Sequence, residues 1–148
     1  ERFPPKIKRI HSLEEILQAS DIVTLHLPLL KSTKHIISTK EFKLMKNNAY
    51  FINTSRGGTV DEQALVEALN NNEIAGAGID VFESEPPDTN SELFTLKNII
   101  VTPHSAALSK QGAVKMAVHA AMQIDQVLQG QKPTWPVNHI EQYSYMEE

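Results

Sequence analysis

Four short apolar runs constrain this chain's fold more than any other feature. "DIVTLHLP" (21–28), "AYFIN" (49–53), "IAGAGIDVF" (74–82) and "NIIVTPH" (98–104) have strand length and strand composition, and Pro28 stops the first. Helical pattern lies before, between and after them. Ser12-Leu13-Glu14-Glu15 is a capping-box pattern, with Leu13, Ile16 and Leu17 on one face. Thr39 is placed to cap a short helix carrying Phe42 and Met45. Asp61 opens another with Leu65, Val66 and Leu69 at helical spacing, which "NNNE" (70–73) ends. "SEPPDTN" (84–90) reads as loop. Ser109 is placed to cap the longest helix, running to Gly130. Val114, Ala117, Val118, Ala121, Ile124 and Leu128 recur there at offsets of three and four, on a face expected to be buried. Runs that are apolar throughout are expected to be buried on both sides. With crossover helices between them, the expected fold is α/β: a doubly wound parallel sheet with helices on both faces.

Composition narrows the function classes. The 148 residues suit one domain of ordinary size, and 41% hydrophobic with 22% charged residues is enough for a real core. The net charge of −4 provides no basic surface for nucleic acid or anionic membrane. The absence of cysteine excludes disulfides, thiolate zinc sites and a cysteine nucleophile. No apolar stretch approaches the ~20 residues that span a bilayer. "ERFPPK" lacks the apolar core of a secretory signal, so a cytoplasmic protein is expected. No internal repeat or metal-ligand spacing is present.

In open α/β sheets, ligands sit beyond the carboxyl ends of the strands. The unusual residues of this chain fall there. The first run ends in His26-Leu27-Pro28 and the second in Thr54-Ser55-Arg56-Gly57-Gly58. The third ends in Asp80, with Glu85 five residues on, and the fourth in Thr102-Pro103-His104. A guanidinium fork pairs with a carboxylate in two parallel bonds, a histidine exchanges protons near neutral pH, and a carboxylate beside it favours the imidazolium. Arg56, Glu85 and His104 therefore suit reversible oxidation of a 2-hydroxy acid, with a cofactor taking the hydride. Plainer readings compete. Arg56 and His104 can be ordinary loop residues, Glu83 rivals Glu85, and Asp80 can be a cap. "GAG" (76–78) resembles the start of a phosphate loop, but Ile79 to Phe82 continue a strand, so its glycines are read as permitting close packing. His11, His35, His119 and His139 are read as structural or solvated.

"NTSRGGTVDEQALVEAL", "GAGIDVFESEPP" and "NIIVTPHSA" closely resemble three successive blocks of the D-isomer-specific 2-hydroxyacid dehydrogenases, and "ASDIVTLHLPLLKSTKHII" the block before them. The resemblance covers roughly residues 12–130. It implies a Rossmann-like fold, NAD or NADP as cofactor, and a small 2-hydroxy or 2-oxo acid of the phosphoglycerate, glyoxylate or hydroxypyruvate type as substrate. It matches Arg56 to the substrate-carboxylate arginine, His104 to the catalytic histidine and Glu85 to its acid partner. Leu27, Pro28, Thr33, Thr54, Ser55, Arg56 and Asp80 match cofactor-lining positions, Asp80 the one that holds the nicotinamide carboxamide. A homodimer is expected.

The family's glycine-rich pyrophosphate loop and ribose-binding acid should precede residue 12, and neither is in this chain. Residues 1–130 are therefore expected to be the C-terminal part of a dinucleotide-binding domain, and 131–148 a tail returning toward a substrate domain that is mostly absent. The residues that choose the 2-hydroxy acid, and NAD over NADP, are expected to lie in the missing part. Two other readings stay open: a nucleotide-sensing, corepressor-like binding protein of the same fold, and a fragment inactive on its own.

Overall fold

A computed structural model describes residues 7–137, which fall into two compact units divided between Ala106 and Ala107. The ends of the chain, including His139 and most of the expected returning tail, lie outside the described residues.

The first unit is a four-stranded parallel sheet in the order β1-β2-β3-β4, with β1 Ile22–Leu25, β2 Tyr50–Asn53, β3 Gly76–Ile79 and β4 Ile99–Val101. Register aligns Thr24, Ile52 and Gly78 across three strands, and Ile100 pairs with Gly78. Helix α1 (Leu13–Ala19) precedes β1, α2 (Thr39–Leu44) joins β1 to β2, and α3 (Glu62–Asn70) joins β2 to β3. The caps explain where helices begin. Ser12 Oγ accepts from Glu15 N–H, and Asp61 Oδ1 from Ala64 N–H. For α2 the cap is Ser38 rather than Thr39, because the Glu41 carboxylate reaches back to the Ser38 N–H and hydroxyl.

Each strand is shorter than its apolar run. The chain leaves the ladder after Leu25, Asn53, Ile79 and Val101, so the residues that follow become the rim where ligands bind in such sheets. The strands are also not buried on both sides. Val23, Leu25, Phe51, Asn53, Ala77 and Ile79 are buried, whereas Ile22, Tyr50 and Ile100 are 65%, 52% and 72% exposed. Sequential strand order with right-handed crossovers places successive helices on the same face. Leu17, Phe42, Leu65 and Leu69 accordingly join one cluster with the buried strand residues, and Phe42 meets Phe51 edge-on at 5.3 Å between ring centroids. On the other face the glycines of "GAG" lie under neighbouring side chains. A Cβ at Gly76 would come within 3.2 Å of the Tyr50 ring, and one at Gly78 within 3.1 Å of Ile52 Cδ1. Close packing explains them.

The second unit contains α4 (Lys110–Leu128), capped by Ser109 Oγ accepting from Gly112 N–H. Its amphipathic repeat is real, but no residue of α4 is buried: Val114, Val118, Ile124 and Leu128, like Ala117 and Ala121, are exposed. A unit of one long helix and a short tail has no second element on which to bury a helical face. His119 stacks on Trp135 with ring centroids 4.7 Å apart. No helix among the described residues is long and apolar enough to cross a membrane.

Candidate active site

The turn after β2 is built around a buried amide. Asn53, 1% exposed, accepts through Oδ1 from the Ser55 N–H and hydroxyl, and donates through Nδ2 to Arg56 O at 3.1 Å. Thr59, fully buried, donates its hydroxyl to the same carbonyl at 2.6 Å. These bonds fix the backbone on both sides of Arg56, whose side chain is exposed and donates from Nη1 to Ser55 O. Immediately after it, Gly57 packs against the next loop. A Cβ there would sit 1.9 Å from the carbonyl carbon and oxygen of Phe82. Only glycine fits between the Arg56 turn and the segment leading to Glu85.

The segment after β3 carries the acid. Glu85 Oε1 accepts from Phe82 N–H at 3.1 Å, and Oε2 lies 2.8 Å from His104 Nδ1. The His104 contact, then the Phe82 N–H, pull the Glu85 carboxyl below its ordinary range, and the positive charge of Arg56 adds to this. Two of the three side chains singled out in the sequence, Glu85 and His104, are in contact, and the turn carrying Arg56 packs through Gly57 against the segment leading to Glu85. With Glu85 ionised, His104 donates from Nδ1, which leaves Nε2 to exchange a proton with a ligand. His104 itself has φ 52°, in the left-handed region, a strained setting for a non-glycine residue.

Asp80 holds that setting in place. It is 3% exposed and accepts from the Thr102 hydroxyl, from Ser105 N–H at 2.8 Å and from Ala106 N–H at 2.9 Å. Burial pushes its carboxyl up, but the Thr102, Ala106 and Ser105 hydrogen bonds and the charge of His104 outweigh this and lower it. A lowered folded-state value stabilises the fold above the ordinary carboxylate range and is lost as pH falls below it. Thermal melting of wild type should therefore drop as pH is taken below ~4. Asp80→Asn should melt lower than wild type at neutral pH, with the gap closing in acid. A gap that stays constant down to the acid limit would detach the Asp80 charge from this turn.

The remaining rim positions divide. Leu27, Pro28 and Thr54 are exposed at the ends of adjacent strands β1 and β2, and Ser55 is half-buried. Thr33 closes its own turn, donating to Pro28 O at 2.6 Å and accepting from Leu30 N–H at 2.8 Å. Asp80 lies below the rim with both oxygens engaged. Leu27 and Pro28 present exposed apolar surface at this rim. Thr102 is marked in the sequence as a rim residue, but its role, like those of Asn53 and Thr59, depends on partners set by the turns. Their one sequence signal is that they are polar residues at or shortly after the ends of apolar runs.

Residues 3–106 match the family model described as "D-isomer specific 2-hydroxyacid dehydrogenase, NAD binding domain". The chain is 44% identical over 127 residues to a glyoxylate reductase of Aeropyrum pernix, covering 86% of this chain and 38% of that protein. It resembles the structure of a D-lactate dehydrogenase with NAD+ from Lactobacillus jensenii, with TM-score 0.78, 35% identity, and coverage of 86% of this chain and 42% of that one. It also resembles a D-isomer specific 2-hydroxyacid dehydrogenase from Xanthobacter autotrophicus in complex with NADPH and MES, with TM-score 0.75, 34% identity, and coverage of 85% and 51%. This chain therefore spans well under two thirds of the length of these relatives.

Proposed function

Because the chain belongs to the D-isomer specific 2-hydroxyacid dehydrogenase family, through its NAD-binding domain, we propose that the full-length protein interconverts a D-2-hydroxy acid and its 2-oxo acid. The observation that carries this reading is the 2.8 Å contact between Glu85 and His104, in a loop packed at Phe82 against Gly57 of the Arg56 turn. The glyoxylate reductase relative favours a short 2-oxo acid of the glyoxylate or hydroxypyruvate type. The solved relatives bound to NAD+ and to NADPH support a nicotinamide cofactor of either kind.

Leu27, Pro28, Thr54 and Ser55 would hold the nicotinamide end of the cofactor. A nicotinamide, when bound, supplies or accepts the hydride. The chain's own residues do the rest. Arg56 pairs with the substrate carboxylate and turns the carbonyl toward the rim. As the carbonyl carbon gains hydride, its oxygen takes a proton from His104 Nε2 and the carbonyl becomes an alcohol. Glu85, ionised and bound at Nδ1, orients the ring that gives this proton. In the oxidation direction the neutral ring takes the hydroxyl proton back.

Arg56→Lys tests the assignment. An ammonium keeps the charge but cannot make two parallel bonds. In the full-length protein kcat/KM for glyoxylate, hydroxypyruvate or pyruvate should fall roughly 10- to 100-fold, the worth of one charged hydrogen bond. The loss should appear chiefly in KM, with cofactor affinity little changed. Equal efficiencies for lysine and arginine on the best substrate would leave Arg56 a plain loop residue.

A further inference from the structure

We propose that His35 is a positioning residue for the Glu85–His104 pair and acts through Glu83; the inference rests on the functional reading above. The loop after β3 carries two carboxylates, Glu83 and Glu85, separated by Ser84 alone. Each takes one imidazole. Glu85 Oε2 lies 2.8 Å from His104 Nδ1, and Glu83 Oε1 lies 2.6 Å from His35 Nε2. The second pair spans 48 residues of sequence and bridges from the turn after β1 to the acid-bearing loop.

The two histidines share an unusual backbone. Among the described residues, His35, Asn72 and His104 are the non-glycine residues with φ in the left-handed region, at 49°, 54° and 52°. Asn72 follows the end of α3, where asparagine is at ease. At His35 and His104 a residue less suited than glycine to this conformation is held in it, which persists only where the surroundings impose it. For His35 that surrounding is the Arg56 turn: its N–H donates to Gly58 O at 3.0 Å, two residues after Arg56. His35 therefore joins the turn carrying Arg56, by its backbone, to the loop carrying Glu85, by its ring.

The loop's other anchors act on its backbone and on Glu85, whose Oε1 accepts from Phe82 N–H at 3.1 Å. Glu83 N–H donates to Glu62 Oε2 at 3.1 Å, and Phe82 is pressed against Gly57. Neither restrains the Glu83 side chain, which is more than a third exposed. His35 holds that side chain, so the loop keeps one conformation and Glu83 is kept from the role that Glu85 fills.

The test uses the full-length protein and compares wild type, His35→Ala and His35→Gln, whose side-chain amide can still donate to Glu83. His35→Ala should lower kcat for the best 2-oxo acid roughly tenfold, short of the ~100-fold that a 1 Å misplacement can cost, with reduced-cofactor affinity within about twofold. His35→Gln should recover most of the loss. In a Glu85→Gln background His35→Ala should cost almost nothing further, because the effect runs through Glu85. The same fold-loss in both backgrounds, or His35→Ala within twofold of wild type, overturns the inference. Should His35→Ala not fold, Glu83→Ala breaks the same tie and carries the same expectations. Crystal structures separate this inference from the functional reading, which wild-type turnover judges by itself. Removing the tie should open the Glu85–His104 contact beyond hydrogen-bond reach, and an unchanged contact overturns the proposal whatever the activity.

Discussion

His104→Ala in the full-length protein should lower turnover of a 2-oxo acid by roughly 10²- to 10⁴-fold, the usual worth of a positioned acid–base group. Affinity for the reduced cofactor should change little, because the role proposed for the ring, held by Glu85, is proton transfer to the substrate. Alanine at φ 52° adds a backbone penalty that could be mistaken for a chemical one. His104→Asn removes that ambiguity, since asparagine tolerates the left-handed region but cannot carry a proton. Both variants should lose turnover alike, while Asn melts closer to wild type. Steady-state kinetics with thermal melting decide the matter. Near-normal turnover in the asparagine variant would take His104 out of the mechanism.

How much of this was legible in the sequence depended on the range of the interaction. The caps at Ser12, Asp61 and Ser109 were readable because a helix start is decided by residues three apart. The four strands were readable as apolar runs, and their ends pointed to one rim. Glu85 and Glu83 are chemically equal in the sequence. Backbone geometry alone gives one to His104 and the other to His35, the latter through a contact that composition cannot anticipate. The burial of α4 was misjudged because periodicity reports that a helix has an apolar face, not what covers it. Likewise the exposure of Ile22 and Ile100 follows from strand order, which no single run encodes.

Gly57→Ala should be the most damaging small substitution in the chain. Its Cβ would lie 1.9 Å from backbone atoms of Phe82, where no rotamer change can relieve the clash. Either the Arg56 turn or the segment leading to Glu85 must move. Overpacking of this kind costs roughly 1–3 kcal/mol and occasionally more, so the melting temperature should fall by several degrees. Catalysis should suffer more than stability, since the clash separates Arg56 from Glu85. Gly58→Ala is the control. Its Cβ would meet the flexible end of Leu29 at 3.0 Å, which can give way, so melting and kinetics should stay near wild type. Gly57→Ala with unchanged melting and kcat would mean that the two segments are not packed as described.

The proposed reduction of a 2-oxo acid, with hydride from the cofactor and a proton from this rim, is tested most directly by following the hydrogen itself. The full-length protein is given hydroxypyruvate and either NADH or NADPH labelled with deuterium at the reactive ring position, and the product is analysed for label and configuration. The expected product is D-glycerate carrying one deuterium at C2, formed roughly 10²- to 10⁴-fold more slowly by His104→Asn. Folded protein that binds reduced cofactor but transfers no label to hydroxypyruvate, glyoxylate or pyruvate would contradict the proposal.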